Sequence, residues 1–144
     1  MSLFKRPLGR PRVLSEVSFA LGAAVVMGGA GALVALATPP LRPVPWASPP
    51  VRLLLHAAVG FGLGWWGGLM WSIGLAFHAR RFQPPPPLAA LMRATWLAAA
   101  LFAAITLAAH TLGASALLSI GGGVVTCTLA ARAIVTNAAR RQQP

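Results

Sequence analysis

With 144 residues, 57% of them hydrophobic and 9% charged, and a net charge of +11, the chain lacks the polar shell of a water-soluble domain, in which about a quarter of residues are charged. Nucleic-acid binding is disfavoured as well: the basic residues flank apolar stretches, where membrane orientation and anionic lipid headgroups account for them. The single cysteine, Cys127, excludes an intramolecular disulfide and any thiolate cluster built from this chain alone.

Four apolar stretches fill most of the sequence, at 13–38, 51–77, 88–111 and 112–135. Each reaches the ~20 residues that a membrane-spanning helix needs. The expected fold is therefore all-α, a single integral membrane domain of four transmembrane helices in a compact antiparallel bundle made of two hairpins. Lys5, Arg6, Arg10 and Arg12 precede the first span, Arg80, Arg81 and Arg93 surround the second connection, and Arg132, Arg140 and Arg141 close the chain. Only Arg42 and Arg52 fall on the other side. This asymmetry predicts a multi-pass protein of the cytoplasmic (inner) membrane with both termini in the cytoplasm and anionic headgroups as neighbours.

The first span opens with the sole acidic residue, Glu16. An intramembrane carboxylate is a candidate for proton coupling or cation binding, but Arg12 stands one turn earlier and the plainer reading is an i,i+4 ion pair. Ala20, Ala24, Gly28, Gly31 and Ala35 give this span a face of small residues. Ala35-Leu36-Ala37 after a basic start has the form of a signal-peptidase site. The apolar run from Val17 to Ala37 exceeds the ~7–15 residues of a signal core, so it is read as a retained span. The connection at 39–50 is rich in proline and is expected to form a stiff outer strap, with Trp46 at headgroup depth.

On the second span, Gly60, Gly64 and Gly68 repeat the small-xxx-small spacing that lets helices approach in lipid. Gly67, Gly74 and Trp71 fall on the same side, while Trp65 and Trp66 sit near mid-bilayer. Close helix packing is the favoured reading of this face. The alternative is a ligand or pigment site, with Trp65, Trp66 and Trp71 as walls for a planar or cationic molecule and Gly64 and Gly68 leaving room. Leu14-Ser15-Glu16-Val17 and Trp71-Ser72-Ile73-Gly74 together resemble segments of small multidrug exporters, a resemblance that implies proton-coupled transport through Glu16. The long proline connections and the near-interfacial Glu16 depart from that family.

Pro84 to Pro87 force a break in the cytoplasmic connection at 79–87. The third span offers Thr95, Ala99, Ala103, Thr106 and His110 as a packing face. The last connection is short: Gly113 is suited to a left-handed helix end and Ser115 to capping the next helix. On the fourth span, Ser115, Ser119, Gly122, Thr126, Ala130, Ala133 and Asn137 recur at spacings of three and four and predict a packing seam. Cys127 is read as a small apolar residue.

His56 and His110 lie at one membrane level on two spans. Paired imidazoles from two helices are one way to ligate haem iron. With no CxxCH motif and no further ligand, interfacial histidines bonded to carbonyls or water are the preferred reading, and no cofactor is expected. One carboxylate, three dispersed histidines, and no Ser–His–Asp, HExxH or phosphate-loop motif argue against an enzyme. The leading functional expectation is an accessory or assembly subunit that packs against other membrane helices. A homo-oligomeric transporter of small solutes or ions comes second, using Glu16 and the Trp/Gly face, and a haem-bearing electron carrier third.

Overall fold

Ala- and Leu-rich runs propagate as helices, and the proline clusters mark where they stop. The computed structural model describes residues 10–38, 48–83 and 85–141, with side chains from Glu16 onward. Lys5, Arg6, the side chain of Arg12, Arg42, Trp46 and Pro84 therefore lie outside the described residues, as does most of the proline-rich outer strap. Four helices follow in chain order: α1 (Arg10–Ala37), α2 (Pro49–Ala79), α3 (Leu88–Thr111) and α4 (Ala116–Arg140). All four are long and apolar enough to cross a membrane. The shortest, α3, has 24 residues and reaches about 36 Å at 1.5 Å per residue, against a hydrocarbon core of ~30 Å.

Local chemistry explains the boundaries. Pro49 and Pro50, expected in the strap, instead form the first turn of α2, where a missing N–H costs nothing and a fixed φ favours the helix. The fourth helix starts at Ala116 and not at Leu112, because residues 112–115 are consumed by the turn. There the Gly113 N–H donates to the His110 carbonyl at 3.0 Å and the Ala114 N–H to the Ala109 carbonyl at 3.0 Å. Gly113 has a φ of 82°, so this is a Schellman termination that a residue with a Cβ would strain. Ser115 then caps α4, its side chain accepting from the Leu118 N–H at 3.4 Å. α4 continues past the predicted end at Val135 to Arg140.

The hairpin pairs α1/α2 and α3/α4 are antiparallel. α1 packs along both α2 and α3, α3 packs on α4, and α2 meets α4 only over a short stretch. The tightest seam joins α1 and α2. A Cβ built on Gly31 would strike the Gly60 carbonyl oxygen, one on Gly64 would strike the Met27 carbonyl, and one on Gly68 would lie 2.8 Å from the Ala23 carbonyl oxygen. Backbone therefore rests on backbone, which supplies dispersion contact where lipid tails give little hydrophobic drive for helix association.

The buried interior is built mostly of alanine: Ala23, Ala24, Ala94, Ala98 and Ala131 are at most 1% exposed. Among the larger buried side chains are Phe19, Leu75 and Val135. The outside is apolar as well, with Leu117 87% exposed and Leu63 71%. An apolar surface on so many sides is what lipid solvates and water does not.

The seam on α4 departs from expectation. Its buried line runs through Ser119, Gly123, Cys127, Ala131, Val135 and Ala139, while Gly122, Thr126, Ala133 and Asn137 are exposed. The helix is rotated by about one residue, or 100°, from the predicted orientation. Phe102 and Thr106 of α3 fit against the bare backbone at Gly123, where a Cβ would lie 2.6 Å from Thr106 Oγ1 and 3.1 Å from Phe102 Cδ2.

Candidate functional site

The two ends of the bundle differ in chemistry. One carries Glu16, Arg80, Arg81, Arg93, Arg132, Arg140 and Arg141, and is called the basic end; at the other, the far end, the described arginine is Arg52. The basic end is closed. Phe19, Leu75, Ala79, Ala131 and Val135 belong to one buried cluster there, and His78 Nε2 lies 3.3 Å from Thr136 Oγ1, joining α2 to α4.

Glu16 is bound at this end, to a partner from another helix. Arg80 Nη2 donates to Glu16 Oε1 at 3.0 Å and to Oε2 at 2.9 Å. The Arg80 guanidinium also sits 5.6 Å from the centroid of the Phe77 ring. Both side chains of the pair are about half exposed, and such pairs contribute only ~0.2–1 kcal/mol. The pair still neutralises the one carboxylate and ties the start of α1 to the end of α2. The proposed Arg12 partner cannot be placed, its side chain lying outside the described residues.

Beyond His78 and Thr136 the helices α2 and α4 part, leaving a cleft of about 620 Å³ in the far half of the bundle. All four helices line it. The glycine face of α2 forms one wall: Gly60, Gly64 and Gly68 bring α1 close, and the lack of side chains leaves the space open. Trp71 lies on that wall, and Met27 and Phe102 are further large side chains lining it. Nothing in the sequence separates Phe102 or Met27 from a lipid-facing residue, since only helix rotation decides which way they look.

Of the predicted aromatic face, only Trp71 lines this cleft. Trp65 packs against Phe61 with ring centroids 5.9 Å apart, and the same Phe61 covers Gly28, where a Cβ would meet its ring at 2.8 Å. Trp66 is 66% exposed on the outside of α2. The reason is angular: adjacent helical residues are 100° apart, so Trp65 and Trp66 cannot both share a face with Trp71.

His56 and His110 both line the cleft. The hydroxyl protons around them are donated to backbone carbonyls. Thr38 donates to the Val34 carbonyl at 2.9 Å, Thr106 to the Ser119 carbonyl at 3.4 Å and Ser119 to the Ser115 carbonyl at 3.0 Å. The Cys127 thiol lies 3.2 Å from the Val124 carbonyl oxygen. Among the described residues, His56 Nε2 is the one buried side-chain nitrogen or oxygen without a hydrogen-bond partner. No group of three or more His, Cys, Asp or Glu side chains suited to a metal ion occurs among the described residues.

Ser115 and Ser119 lie where α3 and α4 meet, whereas Gly122 and Thr126 do not. Gly122 has no atom within 4 Å of a built Cβ. Comparisons with known protein families, with curated proteins and with solved structures each returned no match.

Proposed function

We propose that this chain is a non-catalytic accessory or assembly subunit of the cytoplasmic membrane, and that the outer face of α4 receives a helix of another membrane protein. The observation that carries this reading is the outward placement of Gly122, Thr126, Ala133 and Asn137. Side chains facing only lipid have no reason to be small and polar, whereas a second helix gains close approach from Gly and Ala and hydrogen bonds from Thr and Asn. The absence of catalysis is supported by the ion pairing of the single carboxylate with Arg80 at the bundle end.

Capture from the membrane tests this. A photo-crosslinking residue at Thr126 should trap a different membrane polypeptide, and one at Leu54, which is 71% exposed on α2, should not. Elution of the protein alone or only as a homo-oligomer in mild detergent, with equal yields at the two positions, would refute the reading.

The basic end is assigned to the cytoplasm, where Arg80, Arg81, Arg93, Arg132, Arg140 and Arg141 lie beside anionic headgroups. In a Cys127→Ala background, Arg52→Cys should react with a membrane-impermeant maleimide added to intact cells. Arg141→Cys should react only after permeabilisation. The opposite pattern inverts the orientation.

A further inference from the structure

We infer that Arg132 of α4 and Arg81, just past the end of α2, together bind the phosphate of an anionic lipid headgroup where those two helices cross. The inference rests on the bilayer setting and the cytoplasmic assignment of the basic end proposed above, and is independent of any partner at the outer seam of α4.

Arg132 is a cation that helix ends and membrane orientation do not account for. Arg80 and Arg81 follow the last turn of α2, and Arg140 and Arg141 end α4, where cations complement the helix dipole and flank a span. Arg132 stands eight residues before Arg140, about 12 Å along the helix axis, beyond the last turn in which the dipole acts. It is exposed there, at a depth where a charge calls for a partner. The chain has one acidic side chain, Glu16, and Arg80 already holds both of its oxygens.

The crossing supplies the second cation. His78 Nε2 lies 3.3 Å from Thr136 Oγ1, and the His78 ring stands edge-on to Phe82 with centroids 5.3 Å apart, which fixes the spacing of α2 and α4 here. Both helices run toward the basic end at this contact. Arg81 comes three residues after His78 and Arg132 four before Thr136, so each is on the face of the residue that makes the contact. Their Cα atoms are about 10 Å apart along the bundle axis, one on either side of it. Long side chains cover that separation: both guanidinium groups lie within electrostatic reach of the His78 ring. Two guanidinium forks around one point suit the several oxygens of a single phosphate.

Depth selects lipid as the source of that phosphate. A free phosphate ion stays in water, whereas a phospholipid brings its phosphate to the membrane surface with acyl chains below it. Leu129 and Val125, three and seven residues before Arg132 and so on the same flank, are 61% and 59% exposed and give those chains an apolar bed. A carboxylate on a docked helix is the competing partner. Ala133 of the outer seam is the next residue, 100° round the helix, so a helix centred on that seam leaves Arg132 to one side.

The test titrates the purified full-length protein, in a neutral detergent, with dioleoylphosphatidylglycerol, and follows thermal unfolding by circular dichroism. Dioleoylphosphatidylcholine and inorganic phosphate are the comparators. Phosphatidylglycerol should raise the midpoint saturably, as a ligand of the folded state does. The zwitterionic lipid, whose choline offsets its phosphate, and the free ion should not. Arg132→Gln should raise the half-saturating mole fraction of phosphatidylglycerol about tenfold, near the lower end of what a charge-assisted hydrogen bond is worth, and Arg81→Gln should do the same. Arg132→Lys keeps the charge without the fork and should fall between the parent and Arg132→Gln. Arg141→Gln removes another exposed cation from the same end and should change the value less than about twofold, one charge among several contributing little to diffuse attraction. Without lipid, all four variants should melt with the parent.

Equal losses in Arg132→Gln and Arg141→Gln would reduce the effect to diffuse attraction and overturn the inference. A midpoint raised as much by phosphatidylcholine or by inorganic phosphate would overturn it too, as would no saturable response to phosphatidylglycerol. Unchanged lipid affinity in Arg132→Gln would also overturn it and leave Arg132 to a carboxylate on another protein. The titration needs neither an intact cell nor a partner, so it is read separately from labelling at Arg52 and Arg141 and from cross-linking at Thr126.

Discussion

Gly64→Leu is expected to destroy the packing of α1 on α2, with a loss of about 3 kcal/mol or more, the upper end of what overpacking costs in well-packed interiors. A Cβ at this position meets the Met27 carbonyl oxygen and lies 2.9 Å from Gly28 Cα. Both are backbone atoms of a helix, so no rotamer change relieves the clash and the helices must separate. Separation would also undo the contacts at Gly31 and Gly60 on the same seam. Thermal unfolding followed by circular dichroism in detergent should show a much lower midpoint, or no cooperative transition. Gly62→Leu is the control: nothing lies within 4 Å of its Cβ position, and its midpoint should match the parent. Equal melting of the two variants would mean that α1 and α2 are not in backbone contact.

The residues that define this seam were legible beforehand, because Gly60, Gly64 and Gly68 repeat at a spacing that has one physical use between helices in lipid. The α3–α4 turn was legible for a different reason. A glycine able to take positive φ and a serine able to accept from the next helix's N–H are local devices, independent of the rest of the fold. Glu16 shows where local reasoning stops. Arg12 is its neighbour in sequence, but the guanidinium that reaches it belongs to Arg80, 64 residues away, and only the antiparallel alignment of α1 with α2 brings the two together.

The cleft was legible in part. Trp71, Gly64, Gly68, His56 and His110 all line it, and each is conspicuous in the sequence because glycine spacing and rare polar groups stand out in an apolar helix. Residue type alone groups Trp65 and Trp66 with that face, but their angles on the helix place them elsewhere. The opening itself depends on α2 and α4 touching at His78 and Thr136 and parting beyond, a property of helix axes that residue periodicity does not encode.

The rotation of α4 gives the second large expected effect, because it separates two adjacent glycines. Gly121, Gly122 and Gly123 are consecutive, so small-residue periodicity fits two stripes equally well. The shape of α3 selects between them: Phe102 and Thr106 need bare backbone opposite, and Gly123 supplies it. Gly123→Leu should therefore cost ~1–3 kcal/mol by overpacking, since its Cβ would lie 2.6 Å from Thr106 Oγ1. It should also break the hydrogen bond from Thr106 to the Ser119 carbonyl. Gly122→Leu meets no atom within 4 Å and gains helix propensity, so the isolated protein should melt at the same temperature or slightly higher. Its cost should fall on the complex: a leucine in the outward seam holds off the helix proposed to dock there, and co-purification of the partner should drop sharply. Gly123→Leu should show the reverse, with a destabilised protein whose outer face is unaltered. If Gly122→Leu proves to be the destabilising substitution and Gly123→Leu the silent one, α4 is turned the other way, and the outward seam on which the assembly role depends does not exist.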